Sequence, residues 1–399
     1  MSIETLTSAI LREMPDINKW QSDFFQHHLG LFLTLRGRYT YLNFERYGQK
    51  NELTYRNHHE SGFDFRAFNR RVIQKYTGTR RMIAFDPSYV SKSGKHTPGV
   101  GYFWSGCASR AKWGLELCGF AAVDIDANTA LHYFAAQTLV EEGQGLMSFY
   151  CTLLRKQAPE LLKMSQYLGI DAFFSKKSFV DAACECGLHV ITRLRDDAVL
   201  HYAPPPRKEG QKGRPKKYGD RFSVRNPDTE QLACIAQDEG QCIYGGLVYV
   251  KSLKRIVKMA IIHELKQDGT IKSVKIFICT DLDFPVEDIW PWYKSRFQIE
   301  LLYRDAKQHT GLEDTQSRHQ KALEYHFNMS LTAVSVAKVE HHLTIEKNKR
   351  GPFSMADIKT QYFNELVVNR VFDVFANFPN LTKNHPALQN LYKLGKIAA

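Results

Sequence analysis

Two short apolar runs that each lead into an aspartate constrain the fold more than any other feature of the sequence. Residues 82–85 precede Asp86, and residues 167–170 precede Asp171. Because strand ends meet at one edge of a mixed or parallel sheet, both side chains are expected at that edge. Two carboxylates placed together repel each other unless a cation lies between them, so such pairs commonly hold Mg²⁺. A turn or helix-cap role for either aspartate is the competing interpretation.

The pattern around these two runs predicts an α/β unit. Strand-like runs at 101–107 and 115–123 follow Asp86, and helical periodicity extends from 130 to 163. A helix at 175–186 and a strand at 189–194 complete the first part of this core, which we place at 76–195.

The residues before this unit are predicted to be helical. Short helices broken by turns cover residues 1–75, which we interpret as a DNA-binding or dimerisation region. A helix-turn-helix with residues 54–57 near DNA and a helical cap on the main domain both fit this pattern.

A β-rich stretch interrupts the unit at 196–280. It opens with a basic loop at 207–217, which is rich in Gly and Pro, lacks apolar residues and is expected to be mobile. Two strand-like runs at 258–265 and 271–279 then flank Gln-Asp-Gly-Thr, which predicts a hairpin. We assign 281–345 to the second part of the core and 346–399 to a helical C-terminal region.

Charge and cysteine content narrow the class of protein. The 54 Lys and Arg residues exceed the 42 Asp and Glu residues and give a net charge of +12. This excess favours a nucleic-acid partner, although a basic soluble protein without one is also compatible. The eight cysteines show no disulfide framework and predict free thiols in a cytoplasmic protein, with a zinc site at Cys184, Cys186 and His189 as the alternative. No apolar stretch is long enough to span a membrane.

A third acid stands in a helical run that also carries basic and aromatic residues. At about 100° per residue, Tyr293, Arg296, Glu300 and Lys307 fall within roughly a 60° arc, and Arg304 lies beside it. Cations around a metal-binding carboxylate suit a site that handles phosphodiesters. A solvated charged helix face is the plainer explanation.

The spacing of this run, Y-x2-R-x3-E-x6-K, resembles the hallmark of bacterial insertion-sequence transposases of the insertion sequence 4 group. The resemblance covers about residues 35–345. It implies a DDE transposase with an RNase H-like core, in which Asp86 ends the first strand and Asp171 ends the fourth. A β-rich insertion between the second Asp and the Glu is typical of this branch, and residues 196–280 fill that place.

The resemblance also implies a chemistry and its partners. Asp86, Asp171 and Glu300 would be the catalytic acids and would bind two Mg²⁺ ions, for which Mn²⁺ could substitute, in two-metal phosphoryl transfer. The expected partners are double-stranded transposon ends and target DNA, bound by a homodimer in the bacterial cytoplasm near the nucleoid. The expected DNA-binding residues of the helical run are Tyr293, Arg296, Arg304 and Lys307.

The basic loop could add to the DNA contacts. Gly213-Arg214-Pro215, followed by Lys216 and Lys217, resembles the segment by which AT-hook peptides enter the minor groove. A plain flexible linker explains the same composition.

The sequence departs from the family in one respect. Well-studied members carry a tryptophan in the insertion that supports a flipped base during hairpin formation, whereas residues 196–280 contain none. We therefore expect DNA ends to be opened without such a tryptophan. A related RNase H-like endonuclease, or a domesticated DNA-binding protein without transposition activity, remains the alternative function.

Overall fold

The fold is built on one sheet of eleven strands with helices packed around it. A computed structural model describes residues 2–205, 213–238, 240–374 and 392. The strands, in chain order, are β1 Arg81–Ser91, β2 Gly101–Ser105, β3 Arg110–Asp124, β4 Thr129–Gln137, β5 Tyr167–Ile170, β6 His189–Leu194, β7 Leu200–Tyr202, β8 Ala233–Gln237, β9 Gln241–Val250, β10 Arg255–Leu265 and β11 Ile271–Cys279.

Strand β1 is central to the half of the sheet that carries the two aspartates. It pairs antiparallel with β3 and parallel with β5, β5 pairs parallel with β6, and β4 pairs antiparallel with β3. Residues 82–85 are fully buried, as expected for a strand that is covered on both faces. The resulting order of these five strands is β4-β3-β1-β5-β6.

The predicted β-rich insertion extends the same sheet. Strand β11 pairs antiparallel with β6, and the order continues through β10 and β9 to β7, with β8 beside β9. The predicted hairpin is present as β10 and β11, and Gly269 in its turn has a φ of +77°, which glycine adopts without strain. Residues 206–212 of the basic loop lie outside the described residues.

Eleven α-helices occur in the described part of the chain. They are α1 Ile3–Arg12, α2 Lys19–Thr34, α3 Tyr41–Tyr47, α4 Glu52–Ser61, α5 Phe65–Tyr76, α6 Leu146–Leu161, α7 Lys177–Glu185, α8 Val286–Ser295, α9 Gln298–His309, α10 Gln320–Thr344 and α11 Met355–Val374. None of these helices is both long and apolar enough to cross a membrane.

The first five helices begin at polar caps and pack on the core. Each has a Ser, Asn, Thr or Asp cap whose side chain accepts a backbone N–H of the first turn. Helices α1, α2, α4 and α5 contact α10, whose side chains are buried almost continuously from Ala322 to Val339. In the segment 54–57, Tyr55 is buried and Arg56 pairs with Glu52 on the same helix. Of the C-terminal region, α11 is helical, and the rest beyond it lies outside the described residues except Tyr392.

Two local predictions are wrong. Strand β1 does not end at Asp86 but continues to Ser91, because β3 pairs with it over its whole length. The helix predicted from residue 130 begins only at Leu146. Residues 129–137 form β4 instead, since Asn128 takes a left-handed turn (φ +47°) that folds the chain back onto β3.

Candidate active site

The register of the central strands brings Asp86 and Asp171 side by side. Ile83, Ala84 and Phe85 pair with Leu168, Gly169 and Ile170 in parallel, and one further step along both strands reaches the two aspartates. Asp171 follows β5 directly and caps a short 3-10 turn, where its side chain accepts the N–H of Ala172. The expected convergence at this edge is therefore present, although Asp86 lies inside its strand.

Glu300 on α9 joins the two aspartates through Arg296. The guanidinium donates to Glu300 over 2.8 Å, and its other terminal nitrogen lies 3.9 Å from the Asp86 carboxylate. The pKa of Asp86 is raised to about 7, mainly by burial, with Arg296 opposing the shift and the charges of Glu300 and Asp171 adding to it. Asp86, Asp171 and Glu300, which we call the acid rim, thus form a cluster of like charges with one buried cation among them.

Arg296 is nearly enclosed and only partly satisfied. Its side chain is 10% exposed, and two of its three nitrogens, Nε and one terminal nitrogen, are buried without a hydrogen-bond partner. Buried unpaired donors are costly, so this guanidinium is suited to accept an additional anionic partner.

The expected single helix from 293 to 307 is broken. Helix α8 ends at Ser295, and α9 begins at Gln298. The interruption comes from tight bonds three residues apart, from the N–H of Arg296 to Tyr293 and from the N–H of Phe297 to Lys294. Pro291 lies within α8 and does not mark the break. The arc calculated for one continuous helix therefore does not describe these side chains, although Arg296 and Glu300 still meet.

Helix α9 is anchored on β1 by two side chains. The hydroxyl of Tyr303 donates to the carbonyl of Asp86 over 2.6 Å, and the amino group of Lys307 donates to the carbonyl of Tyr89 over 2.6 Å. Lys307 also lies 3.3 Å from Glu313. In this structure Lys307 thus holds the helix to the strand that carries Asp86. Sequence reasoning missed Tyr303, whose position one turn after Glu300 was the available signal.

An open cleft adjoins Asp171 on the other side. Asp171, Tyr293, Arg193 and Arg195 line it. The ring of Tyr293 packs on Phe277, and the guanidinium of Arg296 lies 5.7 Å from its centroid. The two arginines were not singled out from the sequence, and their place at the end of β6, beside the strand leading to Asp171, was the only indication.

The other expected DNA-binding residues are less closely tied to the acid rim. Arg304 donates to the neighbouring Asp305 over 2.9 Å and is 55% exposed. Arg214, Lys216 and Lys217 are exposed in the described end of the basic loop.

The three acids of the rim carry oxygen donors that suit a metal ion, but in the described part of the chain they are not assembled into a metal site. Asp86, Asp171 and Glu300 carry oxygen ligands of the kind that Mg²⁺ prefers, and burial is the main cause of the raised pKa of Asp86. Within the described residues no three acidic, histidine or cysteine side chains stand close enough together to hold an ion. Arg296 provides the positive charge between Asp86 and Glu300 instead. Among the same described residues, Cys184, Cys186 and His189 do not form a group that could hold zinc. Cys184 instead accepts a hydrogen bond from Arg255.

One of the comparisons with known proteins points to a protein class. Residues 154–336, a little under half of the chain, match the sequence model of the family described as Transposase DDE domain. This segment contains Asp171 and Glu300 and excludes Asp86. A comparison with curated proteins found no match.

One solved structure also shows a remote likeness. It is described as a cryo-EM structure of the piggyBac transposase synaptic complex with hairpin DNA, and it matches with a TM-score of 0.39 and 11% identity. The match covers 98% of this chain and 74% of that chain. A likeness at that level carries no argument about fold or activity. The family match supports a DNA-cleaving enzyme, a transposase of the DDE class.

Proposed function

We propose that this protein cuts the ends of a transposon and joins them to target DNA, with Asp86, Asp171 and Glu300 as its catalytic acids. The observation that carries the proposal is that Asp86 lies beside Asp171 at the sheet edge and shares the buried guanidinium of Arg296 with Glu300. A buried acid with a raised pKa, here Asp86, at a sheet edge beside an open cleft is typical of a catalytic site.

The strand arrangement supports an RNase H-like core. Three antiparallel strands, β4, β3 and β1, continue into the parallel strands β5 and β6. The first acid lies on the first strand of that set, the second acid follows the fourth, and Glu300 lies on a helix packed against β1. This is the arrangement that the resemblance to the insertion sequence 4 group implies.

The chain's own residues would bind and orient the phosphodiester. Arg296 has buried N–H groups without partners, which a phosphate oxygen could accept. Tyr293 and Arg193 line the cleft beside Asp171 and would hold the adjoining backbone. Lys307 would contribute mainly by holding α9 against β1, unless DNA draws it from the Tyr89 carbonyl.

The acid rim would hold two divalent cations, Mg²⁺ or Mn²⁺. When bound, such ions activate a water or a 3′-hydroxyl and stabilise the leaving oxygen. Arg296 would then exchange its contacts with Asp86 and Glu300 for contacts with the substrate phosphate.

Double-stranded transposon ends and target DNA are the partners we propose. The net charge of +12 supports association with a polyanion. Because transposition joins two ends, we propose a homodimer on DNA, acting at the bacterial nucleoid. The exposed Arg214, Lys216 and Lys217 and the half-exposed Arg304 would add contacts that do not depend on base sequence.

The proposal is tested by replacing each acid with its amide. We expect Asp86→Asn, Asp171→Asn and Glu300→Gln each to lower Mg²⁺-dependent cleavage of a labelled transposon end by more than about a thousandfold, since the ligands of catalytic metals act as a unit. Binding to the same DNA should change by less than about threefold.

A matched control is available in Asp181→Asn. Asp181 follows Asp171 closely in sequence but lies on α7, where it pairs with Lys177 and Arg255 over the sheet. It should keep near-normal cleavage. Cleavage that survives in any rim variant would remove that acid from the site, and cleavage lost equally in Asp181→Asn would point to misfolding.

The alternative, an endonuclease without transposition, differs in its products. A strand-transfer reaction with cut ends and a supercoiled target distinguishes the two. Joined products that carry the 3′ end of the transposon support the transposase, whereas cleavage without joining supports the endonuclease.

A further inference from the structure

Three aromatic side chains form an exposed surface on the hairpin of β2 and β3. Tyr102 is 74% exposed, Trp104 is 64% exposed and Trp113 is 38% exposed. Tyr102 is directly paired with Trp113 across the two strands, and their rings meet edge to face at 5.3 Å. We call these three residues the aromatic face. Exposed aromatic clusters of this kind mark binding surfaces, because water solvates them poorly.

The aromatic face lies on the same side of the sheet as the acid rim. Asp86 pairs with Gly119, and a Cβ on Gly119 would lie 2.0 Å from the Tyr303 hydroxyl, so this side faces α9. Trp113 is six residues before Gly119 on β3 with no bulge between them, and an even number of residues keeps the same side. Tyr102 is paired with Trp113, and Trp104 follows Tyr102 by two residues, so all three side chains lie on this side of the sheet.

The segment around the aromatic face is positively charged without exception. Residues 87–115 contain no Asp or Glu and include Lys92, Lys95, Arg110 and Lys112. Arg110 and Lys112 alternate with the aromatic residues and lie on the reverse side of the hairpin. Because the field of a charge extends about 10 Å at moderate ionic strength, they favour a polyanion on either side of so thin a ribbon.

Within the aromatic face, Trp113 is held in place before any partner arrives. The backbone carbonyl of Trp113 accepts the hydroxyl of Tyr89 over 2.6 Å, and its indole N–H donates to the carbonyl of Gly94 over 3.4 Å. A fixed ring loses little conformational entropy on stacking, which strengthens binding.

We propose that the aromatic face stacks unpaired nucleotides of the DNA that is being processed at the acid rim. Aromatic side chains bind unpaired bases through their flat faces without sequence preference, and the bases of an intact duplex do not offer those faces. Six residues along β3 correspond to about 20 Å. The contacted nucleotides would therefore lie about 20 Å from the acid rim. This inference rests on the proposed function in identifying the DNA as the substrate.

The test measures binding of the full chain to three labelled DNAs of equal length: a single strand, a duplex with an unpaired fork, and a blunt duplex. We expect Trp104→Ala to weaken binding to the single strand and to the fork about tenfold, which is the effect of losing one stacked base. Binding to the blunt duplex should change by less than about twofold. Trp104→Phe, which keeps a flat ring, should recover most of the affinity.

Trp20→Ala serves as the matched control. Trp20 is also exposed, at 65%, but lies on α2 beside His58. Its replacement should leave all three affinities unchanged. Equal losses on the three DNAs would mean that the face contacts duplex, and unchanged affinities would mean that it does not bind DNA; either result overturns the proposal.

A second copy of the chain is the rival occupant, since β2 lies at an edge of the sheet. If Trp104→Ala abolishes self-association in sedimentation while single-strand affinity is kept, the face is a protein interface and the proposal fails. The proposed function can fail separately. A wild-type chain that never cleaves, yet prefers the fork through Trp104, would refute the proposed function and leave this inference standing.

Discussion

Burial shifts the pKa of Asp86 in the acid rim and the pKa values of two buried histidines in opposite directions. At the rim, burial raises the pKa of Asp86 to about 7. On β4 and α10, burial lowers the pKa of His132 and of His326 to about 4. We call His28, His59, His132 and His326 the histidine layer; all four are buried on α2, α4, β4 and α10.

Asp86 and the two histidines with a pKa near 4 differ in whether the neutral form is hydrogen-bonded. His132 donates to the side chain of Asn328 over 2.9 Å, and His326 donates to the carbonyl of Gly311 over 2.7 Å. Arg296 compensates the rim only in part. The difference teaches that burial alone does not mark a functional site. Like charges left under-compensated beside an open cleft do so, because they can be neutralised only by something that binds.

The largest effect we expect is acid destabilisation through the histidine layer. The folded pKa of His132 and His326 lies near 4 and the ordinary histidine pKa is 6.5, so the folded state binds fewer protons between these limits. Stability is therefore fully present above about pH 6.5 and is lost as the pH falls toward 4, by about 3 kcal/mol for each histidine. Urea unfolding from pH 7 to pH 4 measures this loss.

One variant separates this contribution from general acid unfolding. His326→Gln keeps an N–H that can donate to the Gly311 carbonyl but does not titrate, so its stability should fall less steeply with acidification than that of the wild type. The exposed His96→Gln is the matched control and should follow the wild-type curve. Parallel curves for all three proteins would contradict the assignment.

The next effect has the opposite sign and lies at the rim. The folded pKa of Asp86, about 7, exceeds the ordinary aspartate pKa of 3.8, so the folded state binds more protons in this window. Its contribution to stability declines as the pH rises from about 4 to about 7. In EDTA at pH 8, Asp86→Asn should therefore unfold with a free energy higher by roughly 2 kcal/mol, after allowance for the partner that Arg296 loses.

In Mg²⁺, by contrast, the wild type should be more stable than Asp86→Asn. Mg²⁺ bound to the wild-type rim stabilises the folded state by mass action, and the Asn variant should gain little. Unfolding curves with EDTA and with Mg²⁺ at the same pH and ionic strength measure both effects. A variant less stable than wild type in EDTA would show that Asp86 is already well compensated without metal.

The sequence predicted the residues of the acid rim but not the contacts that surround them. The strand at His189–Leu194 and the hairpin of β10 and β11 were predicted correctly, because alternation and turn residues are local signals. The pairing that sets Asp86 beside Asp171 joins residues 85 positions apart, so it could only be hypothesised.

Two features could not be predicted because they depend on contacts between residues that are distant in sequence. Helix periodicity gave no warning of the break at Arg296, because neither Gly nor Pro adjoins this residue and its buried position depends on tertiary contacts. Strand β4 was taken for helix because its alanines and leucine fit both patterns, and pairing with β3 decided the outcome.

The smallest effect tests how closely α9 is packed behind Asp86. A Cβ on Gly119 would lie 2.0 Å from the Tyr303 hydroxyl and 3.0 Å from the ring carbon that bears it. Gly119→Ala should destabilise the protein by about 1–3 kcal/mol through overpacking, and Tyr303→Phe by about 1 kcal/mol through loss of its hydrogen bond to the Asp86 carbonyl.

The double variant sharpens the comparison. Removing the hydroxyl takes away the closest clash with the new methyl group, so Gly119→Ala with Tyr303→Phe should cost about 1 kcal/mol less than the sum of the single changes. Both residues lie behind the rim and away from the histidine layer, so the acid limb of the stability curve should not change. Urea unfolding of the four proteins at pH 7 gives the coupling. Strict additivity would mean that α9 can shift to admit the methyl group, and the position of Glu300 would then be less firmly fixed than the contacts of Tyr303 and Lys307 imply.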